Sequence, residues 1–176
     1  MNKAKVATVW LDGCSGCHMS LLDIDAAVIS LERKIDLVYG PLVDAQEFPE
    51  GVDVTLVEGA VSSQDDLNKL QKIRSRSHVL VSLGDCAVTG NVPAMRNSVP
   101  VGKLLQRIYV DGAQEGKMVP SERVPLLLKQ ARPLREFVKV DFYLPGCPPP
   151  SKAIASLLTH LLEGGKVEAG AKVKFG

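Results

Sequence analysis

Four cysteines are the residues in this 176-residue chain best suited to chemistry. Cys14 and Cys17 form a C-x-x-C pair. Cys86 and Cys147 each stand alone, far downstream. A thiolate is a soft metal ligand, favoured by local positive potential and small neighbours, and sets of four commonly hold iron–sulfur clusters. Structural zinc also uses four cysteines, but usually as two short-spaced pairs, whereas this chain has one. A redox C-x-x-C beside a βαβ pattern is a further reading, with Cys86 and Cys147 left as buried apolar residues. The way the chain delivers its cysteines favours the cluster.

Each cysteine follows a strand-like run. Val6 to Leu11 leads through Asp12-Gly13 to Cys14-Ser15-Gly16-Cys17, Val79 to Leu83 leads through Gly84-Asp85 to Cys86, and Val140 to Leu144 leads through Pro145-Gly146 to Cys147. In a parallel α/β sheet, ligands gather in the crevice outside the carboxyl ends of the strands. All four thiols are therefore expected on one rim, as the socket of a metal cluster. Gly13, Gly16, Gly84 and Gly146 supply backbone that can approach closely and aim N–H groups at sulfur.

Between these runs the pattern alternates. Ser20, with Asp23 three residues on, reads as the cap of a helix over about 20–32, with Leu21, Ile24, Val28 and Leu31 as its apolar stripe. Strands are expected over 35–39, 52–57, 78–83 and 140–144, and a polar helix over 64–74. Residues 84–100 read as an extended loop, rich in Gly, Asn and Pro. Helices are expected over 101–110 and 124–137, the second limited by Pro125 and Pro133. A final helix starts at Ser151 and stops at Gly164-Gly165. The fold class is α/β: a flavodoxin-like, doubly wound, mainly parallel sheet with helices on both faces, forming a single domain over 1–176.

Composition narrows the function. The apolar share is 45% and the charged share 23%, and the formal net charge of +1 gives no basic surface for nucleic acid or anionic lipid. No run approaches the roughly 20 apolar residues that span a bilayer. Met1-Asn2-Lys3-Ala4-Lys5 lacks the features of a secretory signal, so a cytoplasmic location is expected, where cysteines serve metals or redox chemistry rather than disulfides.

The flanking residues carry a resemblance over nearly the whole chain. Asp12-Gly13-Cys14-Ser15-Gly16-Cys17-His18, Glu58-Gly59-Ala60, Gly84-Asp85-Cys86-Ala87 and Pro145-Gly146-Cys147-Pro148-Pro149 resemble, in the same order, the small subunit of nickel–iron hydrogenases. That family shares its fold and cluster with a subunit of respiratory complex I. The stretches 11–22 and 84–97 are most similar to the small (delta) subunits of cytoplasmic, bidirectional NAD-reducing hydrogenases.

The resemblance implies one 4Fe-4S cluster, with Cys14, Cys17, Cys86 and Cys147 as ligands, proximal to a nickel–iron centre in a separate large subunit. It implies an electron-transfer subunit of a hydrogen:NAD+ oxidoreductase, with further partners in a diaphorase module bearing iron–sulfur centres, FMN and NAD. Respiratory and periplasmic relatives carry further cysteines for more clusters, and this chain has none. The complex I relative has adjacent cysteines where this chain has Cys14-Ser15-Gly16-Cys17. Alternatives are the single-cluster small subunit of a membrane-linked energy-converting hydrogenase or complex I-like quinone reductase, and a zinc-stabilised interaction module. FMN is not favoured in this chain, since Cys14 and Cys17 occupy the loop a flavin phosphate would use.

Other residues on the rim have plainer readings beside the functional ones. Glu58, Asp85 and Thr89 are candidates for proton transfer or cluster tuning. Glu58 otherwise caps a helix or pairs across an interface, Asp12 and Asp85 otherwise brace their loops, and the Thr89 hydroxyl or Asn91 amide reaches a sulfur. His18 reads as a surface or interface histidine. Arg96 and Lys152 either offset cluster charge or are simply solvated.

Overall fold

The computed structural model describes residues 3–25 and 27–163. Five parallel strands form the central sheet: β1 (Ala4–Trp10), β2 (Ile35–Tyr39), β3 (Val52–Glu58), β5 (Ser77–Leu83) and β7 (Phe142–Leu144), in the order β2-β1-β3-β5-β7. Counting the strands of this sheet alone, the order is 2-1-3-4-5, the flavodoxin-like arrangement. The central runs β1, β3 and β5 are rich in β-branched residues and largely buried on both sides, as a parallel sheet requires. Val6, Val54, Leu56, Val81 and Leu83 face one apolar layer, and Val9, Val57 and Leu80 face the other.

Helices cover both faces. On one side lie α1 (Gly16–Leu22), α2 (Ala27–Glu32) and α7 (Ser151–Leu162), which bury Cys17, Leu31, Ile154 and Leu158. On the other lie α3 (Gln64–Arg76) and α4 (Gly84–Thr89), which bury Leu70, Ile73 and Ala87. Ser63 caps α3, accepting the Asp66 N–H at 3.1 Å while Asp66 accepts the Ser63 N–H at 2.9 Å. This capping box is where α3 begins.

Registration across the sheet positions the rim. Trp10 pairs with Glu58, Glu58 with Leu83, and Leu83 with Leu144, so four strands end in one row. Far from that row, the Arg74 guanidinium fixes the short strand β7. It donates to the Asp141 carboxylate at 2.5 Å and to the Ser77 carbonyl at 2.6 Å, and Asp141 also accepts the Leu80 N–H at 2.9 Å.

Several expectations are corrected. Residues 20–32 are not one helix. The chain turns helical at Gly16, breaks after Leu22 and resumes at Ala27, and Val28 is exposed. Ser20 lies inside α1, because its hydroxyl is used across space rather than as a cap. Residues 84–98 are compact rather than extended: α4, α5 (Asn91–Ala94) and a 3-10 turn (Met95–Ser98) follow one another. Over 124–137 there is no helix but the strand β6 (Leu127–Arg132) and a 3-10 turn (Leu134–Glu136). β6 pairs antiparallel with β4 (Val61–Ser63) in a second small sheet, and Pro133 ends it. Tertiary pairing has overridden local propensity there. The expected helix over 101–110 is α6 (Val101–Gln106), continued by a π turn (Arg107–Asp111). Ser151 is the first residue of α7, after an N-cap at Pro150. The stop at Gly164-Gly165 lies outside the described residues.

Candidate metal centre

All four cysteines leave from the single row of strand ends. Cys14 lies in the turn after β1, which is closed by reciprocal backbone bonds between Asp12 and Ala60 at 2.8 and 3.1 Å and braced by Trp10 Nε1 donating to the Gly13 carbonyl at 2.9 Å. Ser15 adopts a left-handed φ of 68° and starts α1, which puts Cys17 in its first turn. Cys86 lies in α4 directly after β5, and Cys147 follows β7. The Cys147–Pro148 peptide is cis. The chain order reverses between β1 and β3, so the Cys14 turn and Glu58-Gly59 flank the switch point, where such sheets bind ligands.

The loops are tied to one another by bonds distant in sequence. Asp85 donates its N–H to the Gly146 carbonyl at 2.9 Å, and its carboxylate accepts the Gly146 N–H at 2.7 Å. The two singleton cysteine turns are thereby locked together. The buried Ser20 hydroxyl donates to the Pro149 carbonyl at 2.5 Å, joining the helix of Cys17 to the turn of Cys147. Ser20 stands three residues after Cys17, on the same helical face.

Cysteine exposure is graded. Cys17 is buried, Cys86 half-buried, and Cys14 and Cys147 exposed, all four being free thiols. Burial pushes the Cys17 thiol up to about 12, helped by the nearby Glu58 carboxylate and by Cys86, Cys14 and Cys147. Burial also raises Cys86, opposed by a backbone hydrogen bond from Val92, with Cys147, Cys14 and Glu58 adding to the rise. Cys17 and Cys86 thus feel the neighbouring thiols. Among the described residues, no three His, Cys, Asp or Glu side chains stand close enough to share a single metal ion. Four soft thiol donors around one rim are the donor set that iron–sulfur clusters commonly use.

The other candidates fall into place differently. Glu58 is 1% exposed. It accepts the His18 N–H at 3.0 Å, capping α1, and pairs with His18 Nδ1. His18 is thus no surface residue: its side chain is 11% exposed. Within the chain, Glu58 caps α1 and pairs with His18. Asp85 braces its loop. The Thr89 hydroxyl donates to the Asp85 carbonyl at 2.8 Å rather than to a sulfur. Arg96 is not solvated, since its guanidinium donates to the carbonyls of Ser62 and Leu128 at 3.0 and 3.1 Å. Lys152 is exposed.

Residues 14–161 match the family model of the NADH ubiquinone oxidoreductase 20 kDa subunit. The chain belongs to this family. Its match begins at Cys14, the first cysteine of the rim, and takes in the other three. Within known proteins, the chain is 38% identical to the delta subunit of the NAD-reducing hydrogenase HoxS of Cupriavidus necator, over 92% of this chain and 80% of that subunit. It is 37% identical to one subunit of the F420-non-reducing hydrogenase vhu of Methanocaldococcus jannaschii, over 96% of this chain but only 59% of that protein. It also superposes on a chain of the NAD+-reducing [NiFe]-hydrogenase crystallised in its H2-reduced state. The TM-score is 0.90, with 37% identity and 95% of both chains covered. These relatives are named as hydrogenase subunits, and the chain is homologous to a subunit of an oxidoreductase. Among the described residues, no helix is long and apolar enough to cross a membrane.

Proposed function

We propose that this chain is the electron-transfer small subunit of a cytoplasmic NAD-reducing nickel–iron hydrogenase. Cys14, Cys17, Cys86 and Cys147 hold one 4Fe-4S cluster, proximal to a nickel–iron centre on the large subunit. Electrons pass between hydrogen turnover there and a diaphorase module carrying iron–sulfur centres, FMN and NAD. The observation that carries this reading is the common row of strand ends from which all four thiols emerge, in a fold that overlays one chain of the NAD+-reducing enzyme over 95% of both chains.

The bound cluster supplies reversible storage of one electron. The chain's own residues hold and shield it. Cys17, on the buried side, must lose its proton to ligate, so loading releases a proton. The Asp85–Gly146 and Ser20–Pro149 bonds keep three of the cysteine turns from drifting apart. Cys14 and Cys147 lie on the open side. Exposed Met19 and Leu22 of α1 and Val92 and Met95 after α4 are apolar surface of the kind that a permanent partner covers.

Two rival readings have specific support. The match to the F420-non-reducing hydrogenase is nearly as strong in identity, and this chain spans 59% of that protein against 80% of the HoxS delta subunit; the NAD-linked assembly is favoured by the overlay on a chain of the NAD+-reducing enzyme. A zinc module is disfavoured by the cysteine spacing, which has one short pair where structural zinc sites usually have two. Anaerobic purification through a tag on this chain tests all three. The expected result is a brown complex containing a large subunit and flavoprotein subunits, with visible absorbance bleached by dithionite and lost in Cys147→Ser. A colourless protein with stoichiometric zinc would rule the proposal out.

A further inference from the structure

One cavity has no part in the cysteine site. It measures about 190 Å³ and is lined by Thr8 and Trp10 of β1, by Tyr39, Gly40 and Pro41 at the end of β2, and by Lys69 of α3. The carboxyl ends of β1 and β2 lie on the same edge of the parallel sheet as the cysteine turns. The walls are preorganised. The Trp10 indole is 45% exposed, yet its Nε1 is committed to the Gly13 carbonyl at 2.9 Å, so the ring is held in place. A Cβ built on Gly40 would stand 2.7 Å from the Thr8 hydroxyl oxygen. The space beside that hydroxyl exists because residue 40 has no side chain.

Lys69 supplies a charge without a counter-charge. It is half-buried, with its ammonium 6.0 Å from the centre of the Tyr39 ring and one long bond to the Trp10 carbonyl at 3.5 Å. An ammonium carries three N–H donors. Among the described residues no carboxylate lies within ion-pair distance of it, Asp65 one helical turn earlier included. A protein that covered this cation without matching it would strip its water for no return, a cost that complementary interfaces avoid. The volume sets the size of the occupant. Small-molecule sites run to roughly 300–1,000 Å³, so this cavity suits one side chain rather than a cofactor.

We propose that the cavity is an anchor pocket for one aspartate or glutamate side chain of the large subunit. Its carboxylate accepts from Lys69 Nζ and from the Thr8 hydroxyl, and its aliphatic stem lies against the Trp10 indole. This rests on the functional reading above: the subunit with the nickel–iron centre must approach the cysteine rim, and this edge of the sheet is where it arrives. A fixed, exposed tryptophan beside a pocket is the kind of residue that dominates binding energy at interfaces.

The experiment uses the intact complex. A water-soluble carbodiimide joins an amine to a carboxylate in contact with it, forming an amide while the reagent takes up the water and becomes a urea. Peptide mapping should find Lys69 joined to an Asp or Glu of the large subunit. Brief acetylation of the same complex should modify Lys69 at least about ten-fold more slowly than Lys139, whose side chain is 85% exposed. Lys69→Met should release the large subunit at least about ten-fold faster, the effect of truncating one partner of a covered charge pair. Lys69 joined only to Asp65, joined to a different subunit, or joined to nothing overturns the proposal. So does acetylation at the rate of Lys139. These readings come from the unsubstituted complex and stand even if Lys69→Met fails to assemble. A complex that contains no nickel-bearing large subunit would instead sink the functional reading, so the two failures are distinct.

Discussion

Gly84 and Cys17, 67 residues apart, occupy one small volume: a Cβ on Gly84 would stand 2.2 Å from the Cys17 sulfur. Gly84 also has a φ of +81°, which residues with a Cβ adopt only at a cost of about 1–2 kcal/mol. The chain leaves β5 in this conformation so that the buried sulfur fits against bare backbone. Gly84→Ala is expected to cost about 3 kcal/mol once the displacement of Cys17 is added, and to abolish iron retention. Thermal unfolding of the purified chain and iron quantitation on the complex check the two effects.

Asp85 is expected to act as a brace and not as a proton carrier. Removing its carboxylate leaves the Gly146 N–H without its partner at 2.7 Å. Asp85→Ala should cost about 1.5–3 kcal/mol, the range for hydrogen bonds to charged groups, and should accelerate loss of iron. Asp85→Asn keeps an oxygen acceptor and should lie much closer to the unsubstituted protein. If hydrogen turnover in Asp85→Asn fell steeply while iron content stayed normal, proton transfer would be the better account.

The raised Cys17 thiol gives the metal-free chain a defined pH dependence. An ordinary thiol ionises near 9.0, whereas burial moves Cys17 to about 12. The folded state therefore holds its proton where the unfolded state has lost it. The stability linked to this group is present below pH 9 and declines as pH rises from 9 towards about 12. Alkylation followed by peptide mapping at pH 8 should label the exposed Cys14 and Cys147 first and Cys17 last, with Cys17 accelerating at alkaline pH. Early labelling of Cys17 would contradict the burial on which the prediction depends.

Asp141 provides a control far from the rim. It accepts from both Arg74 and Leu80 and holds β7 in place beside β5. Asp141→Ala should lower stability by about 1.5 kcal/mol, near the bottom of the charged hydrogen-bond range because the pair is partly solvated. The visible spectrum of the loaded protein should be unchanged. Denaturant titration and absorbance measure the two.

The local pattern of the chain decided a great deal. Apolar runs ending in Gly or Pro marked the parallel strands, and their alternation with helices marked the doubly wound sheet, because strand period and turn chemistry are properties of a few neighbouring residues. Placement of the cysteines just beyond those ends followed from the same reading. What only the tertiary structure decided are relationships between distant residues. Glu58 closes on His18 across 40 positions, Ser20 reaches Pro149 across 129, and Asp85 holds Gly146 across 61. None of these partners leaves a trace in its own neighbourhood, so His18 looked like a surface residue and Ser20 like a cap. Residues 127–132 likewise look helical until β4 offers them a ladder. Short-range geometry sets which elements form, whereas burial sets what each polar group must find, and burial exists only once the sheet and its helices have packed.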